Sequence, residues 1–326
     1  MKAVLCKNYG PPDSLVIDDI PAPQPADHEV AISVRACGVN FPDVLMIAGK
    51  YQTRPPMPFV PGAEVSGVIA AVGSRVQHLQ PGQRVLGICG WGGMAEQACI
   101  TAAAVVPIPD NMEFTTAAGF ILTYGTAWHA LKQRAALRGG ESLLVLGAAG
   151  GVGLAAVELG RLLGAEVIAA ASSEEKLQLA ASRGAQHGVN YTHNSLRDEI
   201  PSLTDGRGAD VIFDPVGGDL FDQCLRVTAW NGRILVIGFA GGKIQQIPAN
   251  LPLLKGISIV GVFWGSFATH EPELHRENTT ELLRLFERGE LQPHISGTFT
   301  LDDAATAVGT LAQRRALGKV VVRVSD

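Results

Sequence analysis

The stretch Leu143-Leu144-Val145-Leu146-Gly147-Ala148-Ala149-Gly150-Gly151-Val152-Gly153 decides how this chain is organised. An apolar strand runs into a turn of small residues, then into a helix with apolar positions at Val152, Ala156, Leu159 and Leu163. Glycines in such a turn permit a tight bend, bring backbone N–H groups up to a pyrophosphate and let the helix pack close to the sheet. The pattern reads Ala148-x-Gly150-x-x-Gly153, with Ala148 in the place of the first glycine. A glycine pattern alone also describes a plain packing turn. The strand before it, the helix after it and the β-α units beyond it favour a dinucleotide site, with Ala148, Gly150, Gly151, Val152 and Gly153 at the diphosphate.

Downstream, apolar strand-like runs at 142–146, 166–171, 188–191, 209–213, 233–237 and 257–263 alternate with helical patterns at 152–163, 174–182, 195–203 and 220–228. That rhythm predicts a parallel sheet covered on both faces. Upstream, short strands at 2–7, 15–20, 29–36, 64–72, 84–88 and 94–100 lie between Pro- and Gly-rich turns, as in an antiparallel barrel. The last residues hold helices at 279–288 and 302–313 and a closing strand at 319–324, which must pair with a host in the first domain.

Composition agrees with a two-domain globular chain. It has 326 residues, 47% hydrophobic and 17% charged, enough for real cores. The net charge of −5 argues against nucleic acid or an anionic membrane as the main partner. The five scattered cysteines form no C-x-x-C pair, so a reducing, cytoplasmic compartment is expected. The longest apolar run, 143–157, carries four glycines and stops at Glu158, short of the roughly 18 to 20 residues of a membrane span.

The second strand of the parallel set ends at Ala169-Ala170-Ala171-Ser172-Ser173, with no carboxylate at its tip to hold ribose hydroxyls. Ser172, Ser173 and Lys176 are groups that accept a 2′-phosphate, which favours NADPH over NADH. Ser172 with Glu175 also spells a helix capping box, and Glu174 and Glu175 stand close by.

Four blocks in order carry a family resemblance: Gly38-Val39-Asn40-Phe41-Pro42-Asp43, Pro61-Gly62-Ala63-Glu64-Val65-Ser66-Gly67-Val68, Leu122-Thr123-Tyr124-Gly125-Thr126-Ala127 and the glycine turn. Over essentially its whole length the chain resembles the zinc-free quinone oxidoreductase branch, including zeta-crystallin, of the medium-chain dehydrogenase/reductase superfamily. The resemblance implies an α/β chain. A GroES-like β-barrel catalytic domain (1–121) is completed by the C-terminal tail (265–326), and a Rossmann-type, doubly wound NADPH domain spans 122–264. In zinc-dependent relatives a Cys stands at the position of Asn40 and a Gly-His-Glu triplet at Gly62-Ala63-Glu64, so no metal is expected here. Cys37 reads as a small buried apolar residue.

By the same resemblance Asn40, Asp43 and Tyr51 sit near the nicotinamide and substrate. Asn40 would donate to the developing oxyanion, Tyr51 would stack on a flat ring or relay a proton, and Asp43 would orient them or bind the nicotinamide ribose. Their ordinary readings are a turn residue, a helix cap and a lid over apolar surface. Leu45 stands where the family often has a second tyrosine, which makes the pocket more apolar. Thr126, Tyr191, Val216, Gly238, Phe239, Phe263, Trp264 and Arg315 are further cofactor contacts that the resemblance implies, with Tyr191 and Arg315 joining Lys176 around the 2′-phosphate. The eight histidines do not converge and are expected to be structural or on the surface.

Three functions remain open on the sequence: an NADPH-dependent quinone reductase, an NADPH-dependent reductase of activated C=C bonds such as enones or enoyl thioesters, and a non-catalytic NADPH-binding sensor or structural protein. The apolar 257–263 strand would be an exposed edge if it ends the sheet, so a homodimer paired across it is expected.

Overall fold

The computed structural model describes residues 1–325 and divides into two compact units. One comprises Met1–Leu122 with the chain from Pro293 onward; the other is Thr123–Gln292. The expected boundary put everything after 264 with the first domain. The helices Trp264–His270 and Pro272–Glu287 instead fall in the second unit. Their apolar faces explain this: Phe267 stacks on His129 at 3.8 Å, the indole N–H of Trp128 donates to Asn278 Oδ1 at 3.1 Å, and Leu282 is fully buried.

The first unit is built around the Glu29–Val39 strand. On one side it pairs antiparallel with Glu64–Val72. On the other it pairs first with Gln97–Thr101 along residues 29–33, then with Lys319–Arg323 along residues 36–39. Register shifts at Ala31/Ile32 and Val34/Ala36 let the strand bend enough to serve successive partners. Around it Ile32, Val34, Val65, Ile69, Val85, Ile100 and Val322 form one continuous apolar core. The closing strand thus finds its host where expected, and it also pairs parallel with Ile295–Thr300.

The second unit is a six-stranded, all-parallel sheet. Its spatial order is His187–Asn190, Glu166–Ala171, Ser142–Leu146, Ala209–Asp214, Thr228–Val236 and Ser258–Gly261. This is the doubly wound order, with the direction of winding reversing between Ser142–Leu146 and Ala209–Asp214. All five residues of Ser142–Leu146 are buried, as a strand covered on both faces requires. Ser258–Gly261 lies at the sheet edge, as expected. No helix among the described residues is long and apolar enough to cross a membrane.

Candidate active site

In the second unit the strand Ser142–Leu146 ends at Gly147, whose φ of +57° makes the tight turn. Ala148, which stands in the first-glycine place of the pattern, is a buried residue whose N–H donates to Ala170 O at 3.2 Å. Gly150 caps the helix Gly151–Leu162, leaving the first backbone N–H groups of that helix directed at the turn. A side-chain carbon added at Gly153 would lie 2.2 Å from Gly147 O, so only glycine allows the helix this close. A bare cradle of small residues at the N-terminus of a twelve-residue helix fits a diphosphate.

Two neighbouring loops complete this edge. Asp214 ends its strand and accepts the N–H groups of Val216 and Gly217, both at 2.8 Å. This holds the loop so that Val216 Cγ2 stands 3.2 Å from where a side chain on Gly147 would begin. Gly238 and Phe239 belong to the adjoining loop, where the Ala240 and Gly241 N–H groups donate to Pro215 O and Val216 O at 3.0 and 2.7 Å. Val216 and Gly238 are therefore gathered at the switch point where open α/β sheets bind ligands.

Ser172, Ser173, Lys176 and Tyr191 meet at the end of the Glu166–Ala171 strand. The Lys176 ammonium donates to Ser172 Oγ at 3.0 Å, and the Tyr191 N–H donates to Ala171 O at 3.1 Å. The helix is capped by Ser173, whose Oγ accepts from Lys176 N, so the capping box of Ser172 with Glu175 does not form. The Glu174 carboxylate accepts from the Asn190 amide at 3.0 Å. Arg315 belongs to the first unit and lies exposed after the Ala304–Ala312 helix, hydrogen-bonded to Gln313.

The remaining expected cofactor residues are dispersed over this unit. Thr126 is buried on the Ile121–Trp128 helix, and Phe263 is exposed beyond the edge strand. Trp264 is a packing residue: its indole lies against Gly125, with Nε1 2.8 Å from where a Cβ would stand, and it meets His275 edge-on.

In the first unit, strand register brings three side chains together. Gly38 pairs with Glu64, and Val320 pairs with Val39, so Lys319 stands opposite Asn40. Glu64 Oε1 accepts from Lys319 Nζ at 2.6 Å and from Asn40 Nδ2 at 2.9 Å, while Oε2 accepts the Leu122 N–H at 3.1 Å. Lys319 Nζ also donates to Asn40 Oδ1. The other Asn40 N–H reaches Gly38 O at 3.3 Å. Asn40, Glu64 and Lys319 are 5%, 0% and 5% exposed. Both N–H bonds of Asn40 are committed inside the protein, so the oxyanion donor expected of this amide is already occupied. Neither Glu64 nor Lys319 was singled out as a site residue; the position of Glu64 in the Pro61–Val68 block was the one sequence signal.

Asp43 is the third residue of the helix Phe41–Ile47 and is fully buried. Its carboxylate accepts the Asn40 N–H at 2.7 Å and the Gly62 N–H at 3.1 Å. The helix-cap reading of Asp43 therefore holds in part, because it ties down the backbone just before the helix. Burial pushes its pKa up to about 6, against the opposing pull of these N–H groups and of Lys319. Tyr51 is half-buried against the barrel core; burial and the nearby Asp43 charge raise its phenol above the ordinary value, and Gln52 donates to its oxygen. The phenol therefore keeps its proton and has it to donate. Cys37 is buried and Cys89 half-buried beside this cluster, and desolvation pushes both thiols up, away from the reactive thiolate.

Residues 26–110 match the alcohol dehydrogenase GroES-like domain, and residues 151–287 match the zinc-binding dehydrogenase domain. A quinone oxidoreductase-like protein 2 homolog of Nematostella vectensis is 45% identical over 100% of this chain and 89% of its own. The crystal structure of Escherichia coli quinone oxidoreductase complexed with NADPH matches with TM-score 0.94 and 25% identity, over 99% of this chain and 100% of that one. The CurK enoyl reductase matches with TM-score 0.91 and 29% identity, over 99% of each chain.

The second domain description implies zinc, but the residues here do not fit it. A catalytic zinc takes about three protein ligands and keeps an open position. Position 40 is an amide, position 63 is alanine, and both oxygens of Glu64 are engaged. Among the described residues no group of three or more His, Cys, Asp or Glu is placed to share a metal ion. With a GroES-like unit closed by its own C-terminal strand, a doubly wound unit carrying the glycine turn, and these relatives matched over nearly their whole length, the chain belongs to the quinone oxidoreductase-like branch of the medium-chain dehydrogenase/reductase superfamily.

Proposed function

We propose that this chain is an NADPH-dependent quinone oxidoreductase that works without a metal. The observation that carries the reading is the state of Glu64: its carboxylate is held by an ammonium, an amide and a backbone N–H. A site built this way suits an acceptor whose reduced anion is already delocalised, as a quinone's is, because hydrogen bonds and a proton then suffice.

Bound NADPH would supply the hydride. The helix start at Gly151 and the turn at Gly147 would hold its diphosphate, and Ser172, Lys176 and Tyr191 its 2′-phosphate. In the first unit the protonated Tyr51 hydroxyl is the group able to donate to a reduced oxygen, and Asp43 sets the electrostatics beside it. Asn40 acts as an oriented acceptor-side wall rather than as a donor. The reading includes a reducing, cytoplasmic setting for the five thiols and a homodimer formed across the Ser258–Gly261 edge. Ile244, in the loop after the Thr228–Val236 strand, and Leu253 and Leu254, on the Asn250–Lys255 helix that precedes the edge strand in the chain, are 72%, 80% and 68% exposed.

A second reading, reduction of an activated C=C bond, is favoured by the likeness to the CurK enoyl reductase. The two readings separate when NADPH consumption is followed with benzoquinones, naphthoquinones and short enones side by side. Turnover of quinones supports the first, turnover of enones alone the second. Tight NADPH binding with no turnover on the whole panel leaves a non-catalytic binding protein.

A further inference from the structure

We propose that Lys319 is a positioning residue of the reduction site: its ammonium, carried in by the last strand, fixes which way the Asn40 carboxamide faces and holds the Glu64 carboxylate beside it. This rests on the functional reading above, which gives the Asn40 site a part in the reduction.

Donors and acceptors decide the geometry. An ammonium only donates, while a carboxylate and a backbone carbonyl only accept. Asn40 has Glu64 Oε1 at 2.9 Å and Gly38 O at 3.3 Å on one side, and the Lys319 ammonium on the other. One orientation of the amide satisfies all three: NH₂ toward Glu64 and Gly38, oxygen toward Lys319. Turning it over would set N–H against ammonium and oxygen against carboxylate in a buried site, where unmatched polar groups are costly.

The lysine is built into this place. The pairing of Val320 with Val39 sets residue 319 opposite residue 40, and Lys319 Cγ lies 2.6 Å from where a Cβ on Gly119 would stand. Lysines are almost never this buried unless paired. The groups facing Asp43 are the Asn40 and Gly62 N–H donors, Glu64, Lys319, the thiols of Cys37 and Cys89, and the Tyr51 phenol. Lys319 is the cation among them and holds the Asp43 carboxyl lower than burial alone would.

The test compares Lys319→Met, Lys319→Arg and the double variant Glu64→Gln/Lys319→Met in the full-length chain. Naphthoquinone reduction is split into kcat and KM, kcat/KM is followed against pH, and hydrogen exchange of the Asn40 side-chain amide is followed by NMR, which needs no turnover. In Lys319→Met, kcat is expected to fall at least about tenfold while NADPH Kd stays within about twofold, because the chemistry and not the nucleotide site is disturbed. Its acid limb should move to higher pH and its Asn40 amide protons should exchange faster; Lys319→Arg should restore most of kcat. The double variant removes both members of the Glu64–Lys319 pair and so leaves neither of them as an unmatched charge; it carries the test if the single variant does not fold, and it should show the same lowered kcat and faster exchange. A folded Lys319→Met, or a folded double variant, with wild-type kcat and wild-type amide protection overturns the proposal. Should the wild type reduce neither quinones nor enones, the functional reading falls by itself. Amide exchange then decides the positioning role: faster exchange upholds it and unchanged exchange overturns it.

Discussion

The Lys319 ammonium stands 2.6 Å from the Glu64 carboxylate, joining the last strand of the chain to the strand that opens at Glu64. Both side chains are nearly closed to solvent, at 6% and 1% exposure. The pair therefore ties the tail to the barrel. Glu64→Ala should destabilise the protein by about 3–5 kcal/mol, because it leaves a buried ammonium without its paired carboxylate. Urea unfolding measures this, and a change below about 1 kcal/mol, the range of an exposed pair, would show that the ion pair is not the tether.

Asp43 gives the pH dependence a definite sign. Its pKa in the folded chain is about 6, above the ordinary aspartate value of 3.8. A raised carboxyl favours folding at low pH, and that contribution is lost as pH rises through about 6. Measured against Asp43→Asn, which has no charge to lose, the wild type should therefore be relatively more stable at pH 5 than at pH 8, by about 1 kcal/mol. A flat or reversed difference in urea unfolding at the two pH values would contradict the buried, raised carboxyl.

Gly153→Ala should cripple nucleotide binding. The added carbon would meet Gly147 O at 2.2 Å, so the turn or the helix must shift, at about 1–3 kcal/mol in stability. The clearest readout is the rise in Tm on adding NADPH, which should be large in the wild type and largely absent in the variant.

Lys176→Ala should weaken NADPH about tenfold or more while leaving NADH nearly unchanged, the value of one charge-assisted hydrogen bond to a phosphate. Fluorescence titration with both nucleotides reports the ratio. An unchanged preference would remove Lys176 from the phosphate site, despite its 3.0 Å contact with Ser172.

Light scattering should give twice the 34.3 kDa of one chain, and Leu254→Asp should return it to the monomer. A wild type that scatters as a monomer would leave the Ser258–Gly261 edge without its expected partner.

Much of the fold was legible because the parallel strands are continuous apolar runs: Glu166–Ala171 and Ser142–Leu146 have the bounds their hydrophobicity suggested. The helices Phe41–Ile47 and Trp264–His270 are not legible as periodic segments, since each is seven residues long with too few turns to show a period. The glycine turn is legible from the strand before it and the helix after it, but the spacing to Gly150 and Gly153 marks Ala148, while the positive φ of the bend belongs to Gly147. The nearness of Ser172 and Lys176 follows from their place at one strand tip and the helix start after it. The partnership of Asn40, Glu64 and Lys319 is not legible in the sequence, because it depends on the register of strands far apart in the chain. That register also changes the part expected of Asn40, whose amide protons are spent on Glu64 and Gly38.

The most direct measurement mixes the purified chain with NADPH and a naphthoquinone in excess metal chelator and follows the reduced nicotinamide by absorbance. Steady NADPH consumption is expected, unaffected by the chelator and slower with NADH in its place. No consumption with any quinone, or consumption that stops with the chelator and returns with zinc, would contradict it.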